Sequence, residues 1–376
     1  MAKNWTNYEG EMNVPEGTIL EEDSLFDIRD DKWAHPELKE GWYSAGANCT
    51  PLYDPNASLE EKQARAAAQV DAIFKVMGVY DRDPADDPCT IDKYMAPGCP
   101  EEPDAEVEIY VYRPKTLKSK KAKCMYYVLG GALVMREPEL YAISMLCEQY
   151  RCVLVLAKYR ESYKAPYPAA INDCHAGYIW TLEHASEIGI NPDNIMLYGA
   201  SSGGHLALCL GFRLKRYGII PKGIVTLMPQ TDDRETDSLS NKVYTGIWDS
   251  LDQHNALMQY AGIQNFGSSR LGPEYVANRA SIEDCVGYPP TFIFTVEFDP
   301  DRYNCTQFYN KLAEAKTFVE FVCWPGAHHM SSHLIGVNLP GECNEYGAVV
   351  KTVLEKAVND CFNYDLRRPW VTEEKK

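Results

Sequence analysis

From Val107 onward the chain alternates short apolar runs with longer stretches of helical period. Val107–Tyr112 alternates apolar and polar positions as a half-buried strand does. Cys124–Leu129, Cys152–Ala157, Ile195–Tyr198, Gly223–Met228, Thr291–Val296 and Phe318–Cys323 are near-continuous apolar runs of the kind that fill strands buried on both faces. Pro138–Tyr150, Pro168–Ile188 and Gly204–Tyr217 lie between them and read as helices. Glu342–Phe362 reads as a closing amphipathic helix. Short apolar strands alternating with helices predict βαβ units, hence an α/β fold with a doubly wound, mostly parallel sheet.

Two regions interrupt this rhythm. Residues 1–57 are rich in turn formers and acids, punctuated by Trp5, Tyr8, Phe26, Trp33, Trp42 and Tyr43, and read as an irregular wrap. Ser58-Leu-Glu-Glu61 is a capping box that opens a helix running through Lys75 and stopping at Gly78, with Val70, Ile73, Phe74 and Met77 on its apolar face. Residues 81–105 read as a Pro/Asp-rich connector, and 232–288 as a long polar, helix-containing insert. The expected division is an N-terminal wrap or cap segment over 1–105, a core over 106–231 and 289–376, and a cap insert over 232–288.

Charge narrows the functional classes. The chain of 376 residues has a net charge of −17, and residues 1–105 alone hold 23 acids against nine bases. Nucleic-acid binding needs clustered cations to displace counterions, so it is not expected. No signal-type apolar segment opens the chain and no run of 18 apolar residues occurs, so neither a signal peptide nor a membrane span is expected. The 13 cysteines form no C-x-x-C pair. Cys124, Cys152, Cys209 and Cys323 sit in apolar runs where a thiol behaves as a small hydrophobe. A reducing, cytoplasmic setting fits that usage, with no metal site or cofactor implied.

The candidate chemistry lies at 194–205, where the apolar run Ile195–Tyr198 breaks at Gly199 and a helical pattern resumes from Ser202. Gly199, Ser201 and Gly203 give the spacing G-x-S-x-G, which places a serine on a sharp strand-to-helix turn with its hydroxyl lifted off the sheet. Ser202 fits less well, because Ala200 stands two positions before it. An acyl-transfer serine needs a base, an acid to orient that base, and N–H donors at the developing oxyanion. Thr291–Val296 runs into Glu297-Phe-Asp-Pro-Asp-Arg302, and Phe318–Cys323 into Trp324-Pro-Gly-Ala-His-His329. Both partners therefore follow the serine in the order of a doubly wound hydrolase. The strand ending at Leu129 delivers Gly130-Gly131-Ala132, and the N–H groups of the two glycines together with that of Ser202 would make a three-donor oxyanion hole.

These motifs resemble the hormone-sensitive-lipase-like branch of the α/β-hydrolase fold over about residues 105–360. Tyr159-Arg160, Pro166-Tyr-Pro-Ala-Ala170 and Asp173 resemble its Y-R-x-A-P-E-x-P-F-P-A-A-x-x-D block. Gly199-Ala-Ser-Ser-Gly-Gly204 resembles G-D-S-A-G-G, and Gly130-Gly131-Ala132 falls on the glycines of H-G-G-G. Glu297-Phe-Asp-Pro300 resembles E-x-D-P, and Gly326-Ala-His-His329 resembles G-x-x-H. The resemblance implies Ser201 as nucleophile, Asp299 as orienting acid and His329 as base, with Asp301 and His328 as the rival acid and base. Gly130, Gly131 and Ser202 would supply the oxyanion hole. It also implies a cap built from the N-terminal region and an insert after the sixth strand. His205 reads as a packing or surface histidine, while His175 and His333 carry no motif. Glu297 and Asp173 read as structural carboxylates.

Three positions depart from the family pattern: Leu129 for histidine, Ala200 for the acid before the nucleophile, and Tyr163-Lys164 for Pro-Glu. The expected activity is hydrolysis of carboxylic esters of small to medium acyl groups through an acyl-enzyme. The expected partner is a small-molecule ester, with a homodimer left open and no nucleic acid or membrane. The alternatives are an amide, lactone or formamide hydrolase with the same triad, or a non-catalytic ligand-binding receptor on the same fold. A dehydrogenase is excluded because no G-x-G-x-x-G follows the first strands.

Overall fold

The computed structural model describes residues 84–134, 141–234, 238–244, 248, 250–262, 265–329, 331 and 345–368, with Phe26–Asp27, His35, Ser58, Glu60, Glu61 and Ala64. Eight strands form the central sheet: β1 (Cys89–Pro97), β2 (Glu106–Pro114), β3 (Ala122–Val128), β4 (Val153–Ala157), β5 (Ile190–Ala200), β6 (Ile224–Leu227), β7 (Thr291–Phe298) and β8 (Val319–His328). Their spatial order is β8-β7-β6-β5-β3-β4-β2-β1. The pairs β3/β4, β3/β5, β5/β6, β6/β7 and β7/β8 are parallel, whereas β1/β2 and β2/β4 are antiparallel. The mostly parallel, doubly wound sheet is thus the expected one. β4 and β6 are buried at every position, which is why they read as unbroken apolar runs.

The crossovers are helices α1 (Tyr141–Tyr150), α2 (Ala169–Glu183), α3 (Ser202–Arg216) and α5 (Arg302–Glu314), with α4 (Ser250–Ala261) inside the insert and α6 (Glu345–Asn363) following the last strand. α2 and α3 pack on each other, α3 lies on β5 and β6, and α5 lies on β7 and β8. No described helix is long and apolar enough to cross a membrane.

Two elements correct the sequence reading. The connector assigned to 81–105 contains β1, which joins the core sheet at its edge. β1 pairs on one side only, and most of its positions are exposed or half-buried, so its sequence Cys-Thr-Ile-Asp-Lys-Tyr-Met-Ala-Pro carries little apolar signal. α5 has no counterpart in the sequence reading. Cys323 also differs: it is exposed on β8, whereas Cys124, Cys152 and Cys209 are buried free thiols.

The capping box forms, with the Ser58 N–H donating to Glu61 Oε2 at 2.7 Å and the Glu61 N–H to Ser58 Oγ at 3.2 Å. The apolar face Val70, Ile73, Phe74 and Met77 lies outside the described residues, as do most of the N-terminal wrap and His333. Phe26–Asp27 pairs with Val243–Tyr244 in parallel, so the N-terminal segment touches the insert. His35 N–H donates to Gly326 O at 2.9 Å, beside the loop that carries His329.

The Tyr-Arg block anchors the sheet to its flanking loops. Arg160 reaches Asp173 through Nε and Nη2 and Glu102 through Nη1 and Nη2, at 2.6–3.1 Å. Asp173 is buried and also accepts the Arg160 N–H at 2.7 Å, the structural role expected of it. Removing the guanidinium strands a buried carboxylate. Arg160→Ala is therefore expected to cost about 2–4 kcal/mol in urea unfolding, discounted for the half-exposed arginine, and Arg160→Lys to recover little because one ammonium cannot bridge both carboxylates.

Candidate active site

Ser201, Asp299 and His329 each directly follow a parallel strand: β5 ends at Ala200, β7 at Phe298 and β8 at His328. The strand ends are in register, with Ala200 opposite Leu227 and Phe298 opposite His328. Three residues far apart in sequence thereby meet at the carboxyl edge of the sheet, where such folds hold their ligands.

The turn at Ser201 is strained. Its backbone has φ 55° and ψ −128°, a conformation costing a non-glycine residue about 1–3 kcal/mol. The Ser201 N–H donates to Leu227 O at 2.7 Å and its carbonyl accepts from the His205 N–H at 3.0 Å, fixing the turn from both sides. The flanking glycines are a packing requirement. A Cβ on Gly199 would lie 2.4 Å from the Gly203 carbonyl, and one on Gly203 would lie 2.1 Å from Val128 O.

His329 Nε2 lies 2.9 Å from Ser201 Oγ, and Nδ1 lies 2.5 Å from Asp299 Oδ2. A carboxylate only accepts, so the imidazole proton sits on Nδ1 and Nε2 is free to accept from the serine hydroxyl. His329 and Asp299 are both buried. Asp299 Oδ1 accepts the Asp301 N–H at 2.9 Å, leaving Oδ2 to the histidine.

The rival acid and the neighbouring serine are bonded elsewhere. Asp301 accepts from the Thr231 N–H and hydroxyl, Gln253 Nε2 and Asn304 Nδ2, at 2.5–3.1 Å. The hydroxyl of Ser202 accepts the Leu133 N–H at 3.1 Å and is fully buried. His328 is fully buried, and its N–H donates to Ser331 Oγ. His205 packs inside, with Nδ1 3.0 Å from Gln230 O, and burial pushes it down to about 4. Glu297 accepts the Gly326 N–H at 2.7 Å, a structural bond.

The loop after β3 lies against the elbow, since a Cβ on Gly130 would come within 2.6 Å of Ala200 O and 3.8 Å of Ser201 Cβ. Gly131, Ala132 and Leu133 all have positive φ (114°, 54° and 63°), a sharp reversal that keeps the loop beside the serine. Leu129 stands where the resemblance expects histidine, and other groups brace the loop. Tyr159 OH donates to Leu129 O at 2.7 Å, Ser162 N–H to Leu133 O at 2.9 Å, and Val134 N–H to Gly131 O at 3.0 Å. None of these supports carries a sequence signal of its own; Tyr159 alone was marked, as part of the Tyr-Arg block.

Cys99, Glu101 and His175 offer donor atoms within 4.8 Å of one another. Glu101 is already bound by Arg213, Arg216 and the Tyr217 hydroxyl, so a metal ion there would face two guanidinium charges. The donor set fits an ion-pair cluster better than a metal centre.

A family model described as the alpha/beta hydrolase fold matches residues 125–332, a span that includes Ser201, Asp299 and His329. Acetyl esterases of Salmonella paratyphi A and Salmonella typhi are each 24% identical over 234 residues, covering 61% of this chain and 71% of theirs. Among solved structures, a bacterial heroin esterase superposes with a TM-score of 0.69 at 22% identity, covering 88% of this chain and 99% of its own. A thermostable esterase from Pseudomonas putida superposes with a TM-score of 0.66 at 22% identity, covering 84% and 100%.

Two outcomes follow from this geometry. Ser202→Ala removes the hydroxyl that accepts the buried Leu133 N–H, so it should lower stability by about 1–3 kcal/mol in chemical denaturation. Asp301 is pushed up to about 8, chiefly by burial and also by the Asp299 charge, against the Thr231 and Asn304 bonds. A carboxyl raised on folding binds more protons in the folded state, so its contribution is present below its unfolded value of 3.8 and is lost as pH rises through about 8. The Tm of Asp301→Asn should therefore vary less than that of the wild type between about pH 4 and 8, whatever its absolute value.

Proposed function

This chain belongs to the alpha/beta-hydrolase family, and from that membership we propose that it is a serine hydrolase of carboxylic esters. The observation that carries the reading is the continuous chain Ser201 Oγ, His329 Nε2, His329 Nδ1 and Asp299 Oδ2, at 2.9 and 2.5 Å.

The roles follow from the hydrogen bonding. Ser201 Oγ attacks the ester carbonyl while His329 Nε2 takes its proton, and Asp299 holds the imidazole with Nδ1 protonated. The carbonyl oxygen gains charge and is met by the N–H groups of Gly130, Gly131 and Ser202. Each such donor contributes on the order of 3 kcal/mol in the transition state. His329 returns the proton to the leaving alcohol, and water activated by the same base releases the acid from the acyl-enzyme.

Small to medium acyl groups are the preferred class. Ala132 and Val134 of the loop after β3 cluster with Trp248 and Ala256 of the insert, with Tyr163 packed against them. This apolar patch beside the serine suits a short acyl chain, and the acetyl esterases among the relatives agree with that size.

The test is labelling with a fluorophosphonate probe and turnover of aryl acetate, butyrate and decanoate by wild type and Ser201→Ala. Wild type should label and prefer the shorter chains, and Ser201→Ala should lose both labelling and at least about 10⁴-fold in kcat. Persistent labelling in Ser201→Ala would remove the nucleophile assignment, and a wild type that neither labels nor turns over any ester would overturn the reading.

A further inference from the structure

The insert contributes a residue that no motif marks. The Trp248 indole lies 5.4 Å from the His329 imidazole, centroid to centroid, with the planes 28° apart in a stacked arrangement. Trp248 is buried and shares its small apolar cluster with Ala132 and Val134 of the loop after β3 and Ala256 of α4. The same helix reaches both sides of the site. Gln253 Nε2 donates to Asp301 Oδ1 at 2.8 Å, and Gln259 Nε2 to Ser162 Oγ at 3.0 Å. Ser162 in turn holds Leu133 O, and Asn241 Nδ2 of the insert donates to Pro300 O at 2.9 Å, next to Asp299.

We infer that Trp248 is a positioning residue for the base: it holds the His329 imidazole in the plane that Ser201 and Asp299 require and stabilises the imidazolium as it forms. This rests on the reading of Ser201 as nucleophile and His329 as base. Both hydrogen bonds to the imidazole act in the plane of the ring, and neither strongly opposes a tilt out of that plane. An aromatic face stacked on the ring does.

The charge argument points the same way. The titratable groups facing the imidazole are Ser201 at Nε2 and Asp299 at Nδ1, with Asp301 directly behind Asp299. The step concerned moves the proton from Ser201 Oγ to His329 Nε2 while the new Oγ–carbon bond forms, and Trp248 exchanges no atom or electron in it. An indole face attracts a cationic ring more than a neutral one. Its contribution therefore grows towards the transition state, which is the condition for accelerating the step. Because it acts on the ring face, it competes with neither hydrogen bond.

The experiment compares wild type, Trp248→Phe and Trp248→Leu on a short aryl acetate across pH, beside a fluorescence titration that needs no turnover. Trp248→Leu should lower kcat by about three- to tenfold, over and above any change in KM from its place in the acyl patch. It should also move the acidic limb of the kcat/KM profile to lower pH by about half to one unit. Trp248→Phe, which keeps an aromatic face, should recover most of both effects. In a Ser201→Ala background, the emission that Trp248→Phe removes should be quenched as pH falls, and the quenching should vanish when His329→Gln is added.

A loss confined to KM, an unmoved acidic limb, or a Phe variant as impaired as the Leu variant would overturn the inference. So would an emission difference indifferent to His329. The fluorescence arm reports the stack even if the protein hydrolyses no ester. An active wild type with no stacking signal sinks this inference and leaves the hydrolase reading standing.

Discussion

The backbone contact between β5 and β6 at the elbow is the constraint on which the site depends. Ser201 occupies φ 55° only because its N–H is held by Leu227 O and its neighbours Gly199 and Gly203 present no Cβ to the backbone pressed against them. The contact of Gly203 with Val128 draws the end of β3 towards α3, and the loop after β3 follows it to lie beside Ala200. The same bend that exposes the hydroxyl thus delivers the glycine loop to it. Strain of about 1–3 kcal/mol at one residue is small beside the burial of the surrounding strands, so the sheet can sustain it.

The acid side is held with equal density. Asp299 divides its oxygens between His329 and the Asp301 N–H, and Asp301 is in turn bound by Thr231, Gln253 and Asn304. Two carboxylates buried two residues apart would repel, and both this set of donors and the proton that Asp301 keeps up to about pH 8 relieve the pairing. Thr231 lies on the loop after β6 and Gln253 on α4 of the insert. The orientation of the His329 imidazole is therefore set by elements from across the chain, which a pairwise description of three side chains would miss.

The edge where Ser201, His329 and Asp299 meet was legible in the sequence because each of these side chains lies a few residues beyond an apolar run, and Gly199, Gly203 and Gly130 mark the places where backbones touch. The parallel sheet was legible for the same reason: β4 and β6 are buried on both faces and leave no polar alternation to confuse them with surface strands. β1 was not, because an edge strand with most of its positions at least half exposed resembles a connector. Trp248 and Gln253 were hidden for a different reason. Their contribution is a tertiary contact made by an insert with no periodic pattern of its own, and a lone aromatic or amide there looks like any surface residue until the fold closes over it.

Leu129 sharpens what the insert means for the chemistry. With no histidine at that position, the loop after β3 is held by the Tyr159 hydroxyl on Leu129 O, by Ser202 Oγ on the Leu133 N–H and by the Ser162 N–H on Leu133 O. Two of those supports lie in the 159–162 segment, and Gln259 of α4 binds the Ser162 hydroxyl. On the proposed mechanism this loop supplies oxyanion donors, which must not shift as charge develops. The rigidity of the loop is partly supplied by the insert, which also stacks Trp248 on His329 and ties Gln253 to Asp301. A change in the insert would then act on the loop, His329 and Asp299 together, and not on the fit of a substrate alone.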